Sequence, residues 1–288
     1  TSARAPIATV NVALSTTDAS KTMPAGTAFS TTVDDVSYQF VTIANSTATG
    51  AGGVVTFNNA KIYEGTYITS KYLVDTSDVA QRFLLPDSRV DTSTLRVQVQ
   101  NSASDSTVAT YTKATDISQL TSSSSVYYLQ EVENGRHEVY FGDGNVSKAL
   151  SDGNIVILNY VVTNKTASNG ASTFSAPSSI DGVSDITVTT VSSAGGGAEP
   201  ESLASIKLQA PLDYASQGRA VTTDDYVTYT KKLFPNTQAV SVWGGEDGGY
   251  DPATGITSVP EYGKVFISIR NTTGQNLTDT EKTQLVTD

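Results

Sequence analysis

The chain has no cysteine and only one histidine, one tryptophan and one methionine among its 288 residues. The missing thiols exclude disulfides, thiol catalysis and thiolate metal sites, and a lone imidazole leaves structural zinc without its usual ligand set. Charge is also scarce. Asp, Glu, Lys and Arg make up 16%, against roughly 25% in an ordinary globular protein. What charge there is sums to −11, which argues against a nucleic-acid surface and against an anionic membrane surface, since both need a basic patch. No apolar run approaches the roughly 18 residues of a membrane-spanning helix, and no signal peptide opens the chain.

In place of charge the chain carries Ser, Thr, Gly and Asn around short apolar runs. "ATVNVALS", "VSYQFVTI", "GGVVTFNNAKIYEG", "FLLP", "TLRVQVQ", "SSVYYLQEV", "RHEVYFGDG", "NIVILNYVV" and "DITVTTVSS" read as strands, rich in branched and aromatic residues. Pro24 to Gly26 and the small residues from Ala44 to Gly53 read as separators. In "TLRVQVQ", Leu95, Val97 and Val99 alternate with Arg96, Gln98 and Gln100, the pattern of a half-buried antiparallel strand.

Character changes at "SSAGGGAEPESLASIKLQAP". Gly195, Gly196 and Gly197 read as a flexible joint and a hinge, and Pro200 suits the first turn of a helix. Leu203, Ile206 and Ala210 repeat at helical spacing until Pro211 interrupts. A second helix starts at Thr222 as N-cap with Asp225 three residues on, places Tyr226, Tyr229 and Leu233 on one stripe, and stops at Pro235. Strands "QAVSVW" and "KVFISIR" follow, then "LTDTEKTQLVTD", a helix with Thr278 and Glu281 as capping box that reads as cut short. The expected fold class is therefore mixed. A mainly antiparallel β region over 1–194, open to division into two β subdomains near 85–125, precedes an α+β domain over 195–288 ordered helix, helix, strand, strand, helix. The whole reads as a piece of a longer protein.

"YFGDGNVSKALSDGNIVILNYVV" invites a calcium loop or a phosphate cradle. Asp143 and Asp152 lie too far apart, with Val146, Ala149 and Leu150 between them, to give the convergent oxygens calcium needs. Asp143-Gly144 and Asp152-Gly153 read instead as turn dipeptides between strands. His137 sits inside a strand with no nucleophile elbow beside it and reads as a surface or edge-strand histidine. "SAGGGAEPES" lacks the Gly-Lys-Ser/Thr of a phosphate loop. Glu246, Asp247 and Asp251 share one loop and form the best metal candidate, though a solvated hairpin loop explains them as well. The residues assign no catalytic group, no cofactor site and no metal site.

Taken in order, these blocks resemble the baseplate J-like family of contractile phage tails. "EVYFGDGNVSKALSDGNIVILNYVVTN" with "ASNGASTFS" is similar to its Phe-Gly-Asp-Gly signature, here Phe141, Gly142, Asp143 and Gly144, with Asp152 and Gly153 following. "EPESLASIKLQAPLDYASQGRAVTTDDYVTYTKKLFP" is similar to its second block, with Pro211 after the first helix and Arg219, Thr222, Asp225 and Tyr226 leading into the next. "MPAGTAFSTTVDDVSYQFVTI" and "IYEGTYITSKYLVD" are similar to its entry region, and the long upstream part points to the T-even-type phages. Lys148 departs from the small residue or Arg of many relatives, which touches only a turn. The resemblance implies a structural, non-enzymatic subunit of the tail baseplate, located in the virion and assembled in the host cytoplasm. It also implies partners: a second copy of itself, as a homodimer that is ring-forming in the full assembly, and other baseplate wedge proteins, with neither nucleic acid nor membrane among them. The alternative from the β-rich composition is a receptor-binding or adhesin-like tail protein. A hydrolase would need a carboxylate pair brought together by the fold.

Overall fold

The computed structural model describes residues 2–78, 80–216, 219–234, 237–251, 253–272 and 276–287. The chain first forms β1 (Ile7–Ser15), β2 (Ser20–Met23), β3 (Ala28–Val33), β4 (Val36–Val41), β5 (Ser46–Ala51) and β6 (Val54–Glu64). There follow β7 (Thr66–Leu73), β8 (Phe83–Leu85), β9 (Val90–Gln100), β10 (Val108–Lys113), β11 (Val126–Glu131), β12 (His137–Phe141), β13 (Ile155–Val162) and β14 (Ile186–Gly195). The remainder holds α1 (Leu203–Ser216), α2 (Thr223–Leu233), β15 (Thr237–Gly244), β16 (Tyr250–Asp251), β17 (Gly255–Ile256), β18 (Val265–Asn271) and α3 (Asp279–Thr287). The mixed class read from the sequence is the class of the structure: antiparallel sheets with helices near the C-terminus.

The first sheet runs β14-β1-β6-β4-β3, with β5 joining β2 to β6. Strict alternation in β1 buries Ala8, Val10, Val12 and Leu14 while the residues between stay half-exposed. Met23, Phe29, Phe40, Phe57 and Ile62 complete this core, and Phe174 packs edge-on against Phe40 at 4.9 Å between ring centres. The second sheet runs β7-β13-β9-β10-β11-β12-β8. Its pairings are antiparallel apart from a short parallel contact between β10 and β11. Its edges meet where Tyr72 Oη donates to the Leu84 carbonyl at 2.5 Å. A separate core of Phe83, Leu85, Val97, Val139, Leu158 and Tyr160 fills it.

The second sheet is an insertion into the first. The chain leaves the first sheet at Glu64 and returns to it for β14 after Val162. The strands change sheet at Gly65, not near 85–125, a span that lies wholly within the second sheet. The separator read from Ala44 to Gly53 contains β5, which earns its place through backbone pairing with β2 and β6 and has no apolar side chain larger than alanine to announce it.

The helices differ from expectation in two ways. Helix α1 continues through Pro211 to Ser216, since a proline removes one backbone donor without ending every other bond of the helix. Pro200 lies ahead of it; Ser202 caps the start, its carbonyl accepting from Ile206 N at 2.9 Å and its hydroxyl from Ser205 N at 3.2 Å. Pro235, expected to stop α2, falls outside the described residues.

Candidate assembly surface

The motif residues fall into two places. Phe141 ends β12 and packs edge-on against Phe83 and Tyr111, with ring centres 5.6 and 5.3 Å apart. The chain then turns. Asp143 Oδ1 accepts from Asn145 N at 3.0 Å, and Gly144 N donates to the Ser147 carbonyl at 2.9 Å. Gly142 pairs with Ala149. Hydrogen bonds from Asn145, its backbone N–H first, hold the Asp143 carboxyl below its ordinary pKa. Asp152 Oδ1 accepts from Thr76 N at 3.1 Å, and Gly153 N donates to the Val74 carbonyl at 3.1 Å, tying this connection to the end of β7. His137 is not at a surface: β12 lies between β11 and β8, the ring is buried, and its Nδ1 has no partner.

Pro211, Arg219, Thr222, Asp225 and Tyr226 lie on α1, on α2 and between them. Thr222 and Asp225 form the expected capping box, with Asp225 N donating to Thr222 Oγ1 at 3.2 Å and Thr222 N to Asp225 Oδ2 at 2.9 Å. The Thr222 and Val221 backbone N–H groups that donate to its carboxylate, helped by the Arg219 charge, lower the Asp225 pKa. Tyr226 is half-buried, whereas Thr228 and Thr230 are the buried residues of α2. The expected Tyr226–Tyr229–Leu233 stripe therefore covers its neighbours only in part. In the acidic loop, Asp251 is occupied by its own turn, accepting from Ala253 N at 2.9 Å and from Thr254 Oγ1.

Two of the three glycines are packed, while Gly196 holds a left-handed φ of 80° and an added Cβ there would stand no nearer than 3.7 Å to a neighbour. A Cβ on Gly195 would stand 2.6 Å from Glu281 Cδ, and one on Gly197 would stand 2.4 Å from both the Lys165 carbonyl oxygen and Pro6 Cγ. Asn169 grips Gly197 at both backbone groups, each at 3.0 Å. Helix α3 lies across this joint, with Thr280 Oγ1 2.7 Å from Thr9 Oγ1 and Thr280 N donating to Ser192 Oγ at 3.3 Å. Glu281 also caps α3 by accepting from Thr278 N at 2.7 Å.

The C-terminal elements share an unusual property. Among the described residues after Ala198, Phe234 is the only large apolar side chain that is buried. Leu203 is 67% exposed, Tyr214 86%, Val221 75%, Tyr262 80% and Val286 89%. Ile206 on α1 and Val265 and Ile267 on β18 are exposed as well. The sheets and their connections also expose single apolar residues, Leu73 and Ile117 among them, but each sheet has a buried apolar core, whereas the apolar residues described in the C-terminal elements are half-buried or exposed apart from Phe234. Apolar surface gathered on one part of a molecule marks a contact surface.

Known proteins carry the same pieces in the same order. Residues 70–172 match the family described as bacteriophage baseplate wedge protein gp6, third domain. Residues 222–288 match the one described as baseplate structural protein gp6, C-terminal domain I. Baseplate wedge protein gp6 of Enterobacteria phage T4 is 24% identical over 241 residues, covering 74% of this chain. The chain resembles the T-even baseplate wedge subunit. It spans 35% of that relative's length. The third-domain match lies over nearly all of the inserted sheet, and the C-terminal match begins at the Thr222 cap of α2.

Proposed function

We propose that the chain is a structural, non-enzymatic part of a contractile-tail baseplate wedge in the virion, assembled in the host cytoplasm. The two sheets form the rigid body. The C-terminal elements, taken as an α+β domain over 195–288, pair with a second copy and with other wedge proteins, linking neighbouring wedges into a ring. The observation that carries this reading is the exposed apolar surface of α1, β18 and α3. Burying Leu203, Ile206 and Tyr214 against a partner removes apolar area worth about 25 cal/mol per Å², which an isolated chain leaves unused.

Rearrangement on sheath contraction needs an interface with two discrete packings. The joint at Gly195 to Gly197 is the proposed hinge. Motion there has to release Glu281 from Gly195 and Asn169 from Gly197, so α3 acts as the catch of the hinge. Sedimentation across a concentration series tests the self-association. A dimer or larger species is expected, and Leu203→Asp combined with Ile206→Asp is expected to return it to monomer. A strict monomer at the highest concentration removes self-association from the account of this chain.

A further inference from the structure

The first sheet has a gap beside β6. On one edge, β6 pairs with β1 from Val54 to Tyr63. On the other, β5 pairs only with Val54 and Val55, and β4 only with Tyr63 and Glu64. From Thr56 to Ile62 no strand among the described residues lies along that edge. The far wall is the stretch from Thr42 to Ala48, which turns away to pair with β2 at Ser46 to Ala48. Between the walls is a cleft of about 500 Å³.

Its lining is mixed, with Met23, Ile43 and Phe57 beside the polar groups. Asn45, Asn58, Asn59, Tyr63, Lys61 and Arg96 contribute, and no Asp or Glu does, in a chain of net charge −11. Arg96 comes from β9 of the second sheet, so both sheets build the site. The register of β6 against β1 shifts between Val10 and Val12, and inside this bulge Asn59 holds a left-handed φ of 52°. Its N–H donates to Asn11 Oδ1 at 2.8 Å. Bulges re-aim side chains, and here Asn58, Asn59 and Lys61 stand exposed at the cleft.

We propose that this gap is a strand-addition site: an extended segment of another baseplate protein, bearing at least one carboxylate, inserts beside β6 and completes the first sheet. The edge of β6 that β4 and β5 leave uncovered supplies backbone hydrogen bonds, and the asparagines supply side-chain ones. Arg96 selects a carboxylate, its planar guanidinium fork suited to bidentate pairing. This proposal rests on the baseplate reading above.

Hydrogen exchange of the amides from Thr56 to Ile62 tests it, measured on the full-length protein alone and in assembled baseplates. The cleft-facing amides are expected to slow at least tenfold on assembly, and Arg96→Glu to abolish most of that protection. Arg96 is exposed, so unfolding of the isolated variant serves as a folding control. A photo-reactive residue at position 58 is expected to cross-link to an Asp- or Glu-containing segment of a different chain. Unchanged exchange in particles that contain the chain overturns the proposal alone, as does a cross-link to a second copy. Absence of the chain from purified baseplates overturns the baseplate reading and this proposal with it.

Discussion

Glu64 sits where the chain passes from the first sheet to the second. Its carboxylate is fully buried and accepts from Thr163 Oγ1 at 2.6 Å, Asn164 N at 2.8 Å and Asn164 Nδ2 at 2.8 Å. The acceptor is on the outgoing connection and the donors are on the returning one, so a single side chain fastens both crossings. Hydrogen bonds to a charged group contribute about 1.5–3 kcal/mol. Glu64→Gln sets an amide donor against these donors and is expected to lower the unfolding free energy by about 2–3 kcal/mol, read as a shift in urea midpoint at unchanged slope. His137 gives a pH test. Burial lowers its pKa, and the Lys113 charge lowers it further against the opposing pull of Glu131. The unfolded chain takes the proton more readily, near the ordinary value of about 6.5. The neutral ring's contribution is therefore complete above about pH 6.5 and is lost as pH falls through the lower folded value. Stability measured from pH 7 downward is expected to decline in that window, and His137→Gln to flatten the decline. Neither residue was legible as an interior group: an isolated Glu or His within a polar run reveals its burial only when distant strands close over it.

Local signals survived folding at the scale of elements. Both capping boxes, Thr222 with Asp225 and Thr278 with Glu281, form as their spacing requires, because every atom involved lies within one turn. Alternation in β9 likewise named the buried face correctly, with Leu95, Val97 and Val99 inside. Pairing partners were not legible. β1 pairs with β14 across most of the chain, and nothing in either strand specifies the other. The same holds for the gap beside β6, which exists because β4 and β5 diverge. The packing of α3 belongs here too. Its Glu281 was readable as a cap, while its seat on Gly195 was not. A methyl group at Gly195 would overlap the Glu281 carboxyl, so Gly195→Ala is expected to lift α3 off β1 and β14 without unfolding either sheet. Proteolysis within 279–287 should accelerate at least tenfold while thermal unfolding of the sheets shifts little. An unchanged cleavage rate would show that α3 is held by contacts other than this one.

For the whole molecule, the insertion makes the strongest demand. The first core draws on residues 8–62 and 171–194, the second on residues 68–162, and they share no residue. At the crossing, a Cβ on Gly65 would stand 2.2 Å from the Val162 carbonyl oxygen, so the outgoing and returning chains touch. Two cores joined by adjacent ends are two folding units in principle. One strap runs against that independence. Ser2 Oγ lies 2.8 Å from Thr92 Oγ1, and Ala5 N donates to the buried Asp91 Oδ2 at 2.9 Å. Without the strap Asp91 still keeps the Ser93 backbone and hydroxyl donors, at 2.9 and 2.6 Å, so the second core loses one partner of several. A chain lacking 66–162, with Gly65 joined to Thr163 by a short glycine linker, is therefore expected to unfold cooperatively and to give a dispersed amide spectrum. The excised 66–162 piece is expected to do the same at a lower midpoint, reflecting the lost Ala5 bond. Should both pieces lack a cooperative transition, the Asp91 strap and the close approach of Gly65 to Val162 make one folding unit of two cores. A chain built that way would transmit strain between its sheets rather than flex between them.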